Sequence, residues 1–191
     1  MGQKKILPIF PLDLVLFPRQ YLPLRIFEPR YKQLVDDCML SAGLFGVCLH
    51  DKSKTVSGWE APHSVGTIAK ITKCHDIDII GQHLYIETTG RSKFRIKDII
   101  PPSISRPINY DPLSTSGLQR VAQLHEKSGT DRKMYICAEV EFINEIDEKV
   151  PLEKWQQLVE LWKQKIIAQD YPRKVLLSDL EMMLRHYDLL T

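Results

Sequence analysis

Five of the chain's 12 prolines fall within its first 29 residues, at positions 8, 11, 18, 23 and 29, and they cut a strongly apolar stretch into short pieces. Proline fixes φ at about −65° and carries no amide hydrogen, so no long helix can form here. Between the prolines, Leu22, Leu24 and Ile26 alternate with Pro23, Arg25 and Phe27. A period of two predicts short strands or edge strands with one buried face, because a sheet tolerates proline mainly at its edge.

From Pro29 the period changes. Tyr31, Leu34, Val35, Cys38 and Ala42 fall at helical spacing, Pro29 suits the first helical position and Gly43 the residue past the end, which predicts one amphipathic helix over 29–42. Further strands are expected at 44–49, 65–72, 84–88, 93–100 and 135–143, with Gly46, Gly66, Gly81 and Gly90 marking bulges or turns. Residues 50–64, polar around Trp59, and the proline- and serine-rich residues 101–117 read as long connections, where binding residues tend to gather. The tail turns helical. A short helix is expected near 118–125, a longer one around Trp155 and Trp162, whose shared face predicts a seam with the β part, and a last one from Ser178, which forms a capping box with Glu181.

A chain of 191 residues, 43% hydrophobic and 26% charged, can bury a core without disulfide staples. Its formal charge of +2 argues against a protein whose main task is coating nucleic acid. Four dispersed cysteines and no apolar leader point to reduced thiols and a cytoplasmic location, and no apolar run is long enough to implicate a membrane.

The runs Pro8-Ile9-Phe10-Pro11-Leu12, Leu16-Phe17-Pro18 and Leu22-Pro23-Leu24-Arg25-Ile26-Phe27-Glu28-Pro29-Arg30-Tyr31 closely resemble the opening of the Lon protease N-terminal, substrate-binding (LON) domain. Phe45-Gly46-Val47, Val65-Gly66-Thr67-Ile68-Ala69, Phe94-Arg95-Ile96 and Ala138-Glu139-Val140 resemble later strands of that family, in order. The resemblance implies an α+β fold: a PUA-like pseudo-barrel of short, mostly antiparallel strands with one inserted helix, spanning 1–147, and a helical appendage of 148–191 packed on it. It further implies a stand-alone, non-enzymatic module that binds unfolded or tagged polypeptide, as an adaptor to a protease or chaperone. No GxxxxGK[ST] phosphate loop occurs, and the chain is too short to hold the family's ATPase and peptidase domains as well.

No G-x-S-x-G elbow surrounds Ser64, Ser92 or Ser128, and the six histidines are scattered, so catalysis has no apparatus. Cys48 with His50 and Cys74 with His75 hint at zinc, but without a CxxC pair the buried-thiol reading prevails, and no metal or cofactor is expected. Arg91, Lys93, Arg95 and Lys97 form a basic stripe. It suits either an RNA backbone, the rival function, or pairing with Glu139 and Glu141 on a neighbouring strand, the favoured reading. Glu28 and Arg30 read as architecture at the start of the helix. Phe17, Pro18, Tyr21, Pro23 and Phe27 are the candidate peptide-binding residues, because large apolar side chains on proline-broken edges cannot all be core, although core packing is expected to claim more than half of them. A small-ligand pocket lined by Trp59 is a third possibility.

Overall fold

In a computed structural model, the described residues are 5–76, 83–129, 131–144 and 151–168. The order of elements is β1 (Lys5–Leu12), β2 (Tyr21–Ile26), α1 (Pro29–Met39), β3 (Leu44–Val56), β4 (Trp59–Asp76), β5 (Leu84–Ile100), α2 (Thr115–Ser128), β6 (Cys137–Ile143) and α3 (Leu152–Ala168). The expected last helix from Ser178 lies outside the described residues. The chain divides into two compact units, Met1–Asn144 and Glu145–Thr191. Among the described residues no helix is long and apolar enough to cross a membrane.

The first unit is a six-stranded mixed sheet in the order β2-β5-β4-β3-β1-β6, with a further β5–β6 pairing. This corrects the expected pseudo-barrel of short strands: β3, β4 and β5 run for 13, 18 and 17 residues, and β1 pairs β3 in parallel. Among the described residues two helices lie between the first and last strands, α1 and α2, the second over the stretch near 118–125 where a short helix is expected. Gly46 and Gly66 lie inside β3 and β4, as the expected strands 44–49 and 65–72 have them, whereas Gly90 joins the expected strands 84–88 and 93–100 into one, β5, with a register shift beside it. A Cβ at Gly46 or Gly66 would stand 2.5 or 2.7 Å from the Phe94 ring, so that ring fills the space the two residues leave.

Residues 50–64 are likewise no loop. They form a hairpin whose turn, Ser57-Gly58, has φ of 53° and 82°, the doubly left-handed backbone that suits a tight two-residue connection. Trp59 follows it directly and is fully buried, its indole Nε1 donating to the Ile104 carbonyl at 2.8 Å. It belongs to a small core with Ile104, Tyr110, Val121 and Met134.

Two larger clusters occupy the two faces of the sheet. On one, Phe10, Phe45, Val47, Ala69 and Ile86 meet Tyr31, Leu34, Val35 and Cys38 of α1. On the other, Ile9, Cys48, Ile68, Phe94 and Ala138 pack together. Helix α1 stops three residues before Ala42, and the chain closes off through Gly43, at φ 66°, whose amide donates to the Cys38 carbonyl.

Candidate functional site

The segment between β1 and β2 is short, polar at its ends and held tightly. Leu16 is buried, and its carbonyl accepts a 2.6 Å hydrogen bond from the Thr67 hydroxyl. The Arg19 amide donates to the Gly90 carbonyl and the Gly90 amide to the Gln20 carbonyl, each at 2.8 Å, while the Phe17 amide donates to Gln20 Oε1. A Cβ at Gly90 would lie 2.1 Å from the Phe17 carbonyl oxygen, so only glycine admits the segment here. Arg19 takes a left-handed φ of 66° to complete the turn.

With Leu16 pinned inward, its neighbours point out. Phe17 is 50% exposed, and Val15, Leu49 and Val65 are also exposed. Together with Pro18 and the Lys93 stem they line a groove of about 140 Å³ whose walls are mostly apolar. Next along the chain, β2 is an edge of the sheet and, among the described residues, pairs only with β5. Its exposed residues are Tyr21, Pro23 and Arg25, and its inward ones are Leu22, Leu24 and Ile26. Pro23 thus sits where a strand tolerates proline. Tyr21 is 52% exposed, and its hydroxyl lies 3.5 Å from that of Tyr85. That contact, reinforced by Glu87, pushes its pKa up to about 12.

The five candidate peptide-binding residues therefore do not share one cavity. Phe17 and Pro18 line the groove, Tyr21 and Pro23 decorate the strand edge, and Phe27 lines two separate clefts on either side of the start of α1. Core packing claims none of them completely, since Phe17, Tyr21 and Pro23 are exposed and Pro18 and Phe27 half-buried. Val15, Leu49 and Val65 were not read as site residues. Only Val15, two positions from Phe17 in a loop, carried a sequence signal; Leu49 and Val65 join them only because the 50–64 hairpin brings β3 against β4.

The clefts beside Phe27 differ in chemistry. One, of about 220 Å³, lies between Phe27 and α2 residues such as Leu118 and Ala122. The other, of about 280 Å³, has a charged floor. Arg30, 4% exposed, donates through Nε to Glu28 Oε2 and through Nη2 to Glu60 Oε2, both at 2.9 Å. Its guanidinium lies 4.0 Å from the Trp59 ring centroid and 4.2 Å from that of Tyr31. Arg106 Nη1 donates to Glu60 Oε1 at 2.8 Å, and the Tyr110 hydroxyl donates to Glu28 Oε2 at 3.0 Å. Burial alone would raise the Glu60 pKa, but the two arginines outweigh it and hold the carboxyl below its usual range. Glu28 is thus turned toward Arg30 and Tyr110 and makes no side-chain cap to the α1 amides. Two carboxylates and two guanidiniums neutralise one another, so this cluster binds the molecule to itself.

The basic stripe is broken by register shifts. One falls between Gly90 and Lys93 and another at Lys97, leaving Lys93 and Arg95 as the pair in unbroken alternation. Lys97 makes an ion pair with Glu141, which faces Arg95 across β5–β6. Elsewhere, Cys48 is buried, and burial pushes its thiol up to about 12; His50 lies 3.6 Å from Asp13. Among the described residues no group of three or more His, Cys, Asp or Glu side chains could hold a metal ion.

Comparison with known proteins gives a consistent answer. Residues 6–188 match the family model of the substrate-binding domain of ATP-dependent protease La (LON). The Lon protease of Syntrophus aciditrophicus (strain SB) is 33% identical over 101 residues, covering 50% of this chain and 12% of that protein. Protein cereblon of Danio rerio is 33% identical over 95 residues, covering 49% of this chain and 22% of that protein. The chain thus spans under a quarter of either relative. The fold is shared with a Lon N-terminal domain protein from Xanthomonas campestris (TM-score 0.51, 23% identity, 87% of this chain and 75% of that one). It is also shared with the N-terminal domain of a Mycobacterium avium complex Lon protease (TM-score 0.53, 14% identity, 98% and 76%). The matched model is that of a substrate-binding domain, and on the extent of that match, residues 6–188, this chain belongs to the LON substrate-binding domain family.

Proposed function

We propose that this domain binds unfolded or tagged polypeptide segments in the cytoplasm and presents them to a protease or chaperone, with residues 1–147 as the binding domain and 148–191 as a helical appendage. The observation that carries this reading is the uncovered apolar surface from Val15 to Pro23, lying beside a sheet edge that pairs on one side only. An extended guest gains affinity from main-chain pairing at such an edge and selectivity from side-chain pockets next to it. Phe17 and Pro18 supply the pocket, Tyr21 and Pro23 the flank, and Phe27 its far end. The missing Pro23 amide limits pairing along the middle of β2, which makes the grip modest and keeps the edge from recruiting other copies of the chain.

The test is a peptide array or a panel of unfolded model proteins, scored for saturable binding. Phe17→Ala and Tyr21→Ala should each weaken it several-fold while leaving the circular dichroism spectrum unchanged. A flat response across a broad array would remove the reading.

A further inference from the structure

The groove beneath Phe17 has apolar walls and a cationic rim. We infer that it selects, among polypeptide segments, those in which an apolar side chain is followed by carboxylates at alternate positions. This rests on the polypeptide-binding reading and names the class of segment taken.

The placement of charge carries the argument. Across β4–β5, Val65 faces Arg95 and Thr67 faces Lys93, so both cations stand on the sheet face that forms the groove, beside its exposed apolar residues. No register shift separates them in either pairing, so their side chains share one face of β5. Among the described residues neither makes a direct ion pair. Glu141, in register with Arg95, makes its direct ion pair with Lys97 and is only one carboxylate among three cations. The groove lining contains no carboxylate. Like charges two residues apart repel each other, so this rim is short of negative charge that an acidic guest would supply.

The geometry also sets the spacing. Side chains on one face of an extended strand repeat every roughly 6.6 to 6.8 Å, which is the step from Lys93 to Arg95 and the step along an extended guest. An apolar residue lodged between Phe17 and Val65 would therefore bring alternate guest positions over the two cations. The stems of Lys93 and Arg95 can lie along the apolar wall while their heads reach out to the guest. RNA is the less suitable occupant, since Lys97 is already engaged by Glu141 and the groove walls beside Lys93 are aliphatic.

Fluorescence anisotropy with three labelled, unstructured peptides tests this. They share one apolar residue and differ only in carrying Glu, Gln or Lys at the alternate positions. The Glu peptide should bind about fivefold more tightly than the Gln peptide, and the advantage should fade in about 0.5 M salt. In a K93E/R95E variant the order should reverse in favour of the Lys peptide, and K93Q/R95Q should erase the preference, which separates charge selection from any loss of fold. Equal affinity for all three peptides overturns the inference and leaves polypeptide binding standing. Absence of binding by all three overturns both. Tighter binding of a short single-stranded RNA than of any peptide overturns the inference in favour of a nucleic-acid surface.

Discussion

The Arg30 cluster and the Phe17 groove are built from the same materials, arginine or lysine beside aromatic and aliphatic side chains, and they put them to opposite uses. Around Arg30, the described polar partners are all internal: Glu28, Glu60, Arg106 and Tyr110 satisfy one another, and Trp59 and Tyr31 cover the guanidinium. Around Phe17, the apolar side chains are open, and among the described residues Lys93 and Arg95 make no direct ion pair, Glu141 being bonded to Lys97. A buried charge is tolerated only when its partners come with it, whereas an exposed one can wait for a partner from outside. The difference separates what holds the domain together from what it can offer to a guest.

The sharpest way to break this division is at Arg30. Arg30→Met should destabilise the fold by about 3–5 kcal/mol, because it removes the cation shared by Glu28 and Glu60 and leaves Arg106 and the Tyr110 hydroxyl to hold two carboxylates in a partly buried site. Urea denaturation would measure it, and a loss below about 1 kcal/mol would mean that the cluster is dispensable. Gly90→Ala comes next. A methyl group placed 2.1 Å from the Phe17 carbonyl must displace the 13–20 segment, costing about 1–3 kcal/mol and, with the groove distorted, most of the peptide affinity.

A pH titration probes the cluster without mutation. The Glu60 carboxyl is depressed in the folded state, so its contribution is fully present above its ordinary value of 4.5 and is lost as pH falls through the folded value. The urea midpoint should therefore drop below about pH 4.5, and Glu60→Gln should flatten that part of the profile. Phe17→Ala should have the smallest effect on stability, within about 0.5 kcal/mol, while weakening peptide binding. A large loss of stability there would place Phe17 among the structural residues and erase the contrast.

Several elements were legible from residue order alone. Prolines at 18, 23 and 29 and the switch from alternation to helical spacing located β2 and the start of α1, since both signals act within a few residues. The 29–42 helix was drawn too long at its end because Ala42 fits the apolar period, although the chain turns at Leu40 to Gly43. The break expected between 88 and 93 differs for another reason: β5 runs through Gly90 because Ala69 of another strand pairs with it, and only the tertiary structure shows that pairing or the Phe94 ring against Gly46 and Gly66.

The division of roles among the site residues was equally out of reach. Glu28 and Arg30 stood out beside Pro29, but their partners Glu60, Arg106 and Tyr110 are supplied by segments 30 or more residues away. The groove needs the 13–20 segment to lie over β4 and β5, a placement set by the Thr67 hydroxyl, the backbone bonds of Gly90 with Arg19 and Gln20, and the side chain that Gly90 lacks. Local preference, hydrophobic period and the LON resemblance were thus determined by the sequence itself, because they depend on neighbours in the chain. Which strands pair, which charges are spent inside and which apolar faces stay open were decided only by the tertiary structure, because each depends on contacts between residues that no local pattern links.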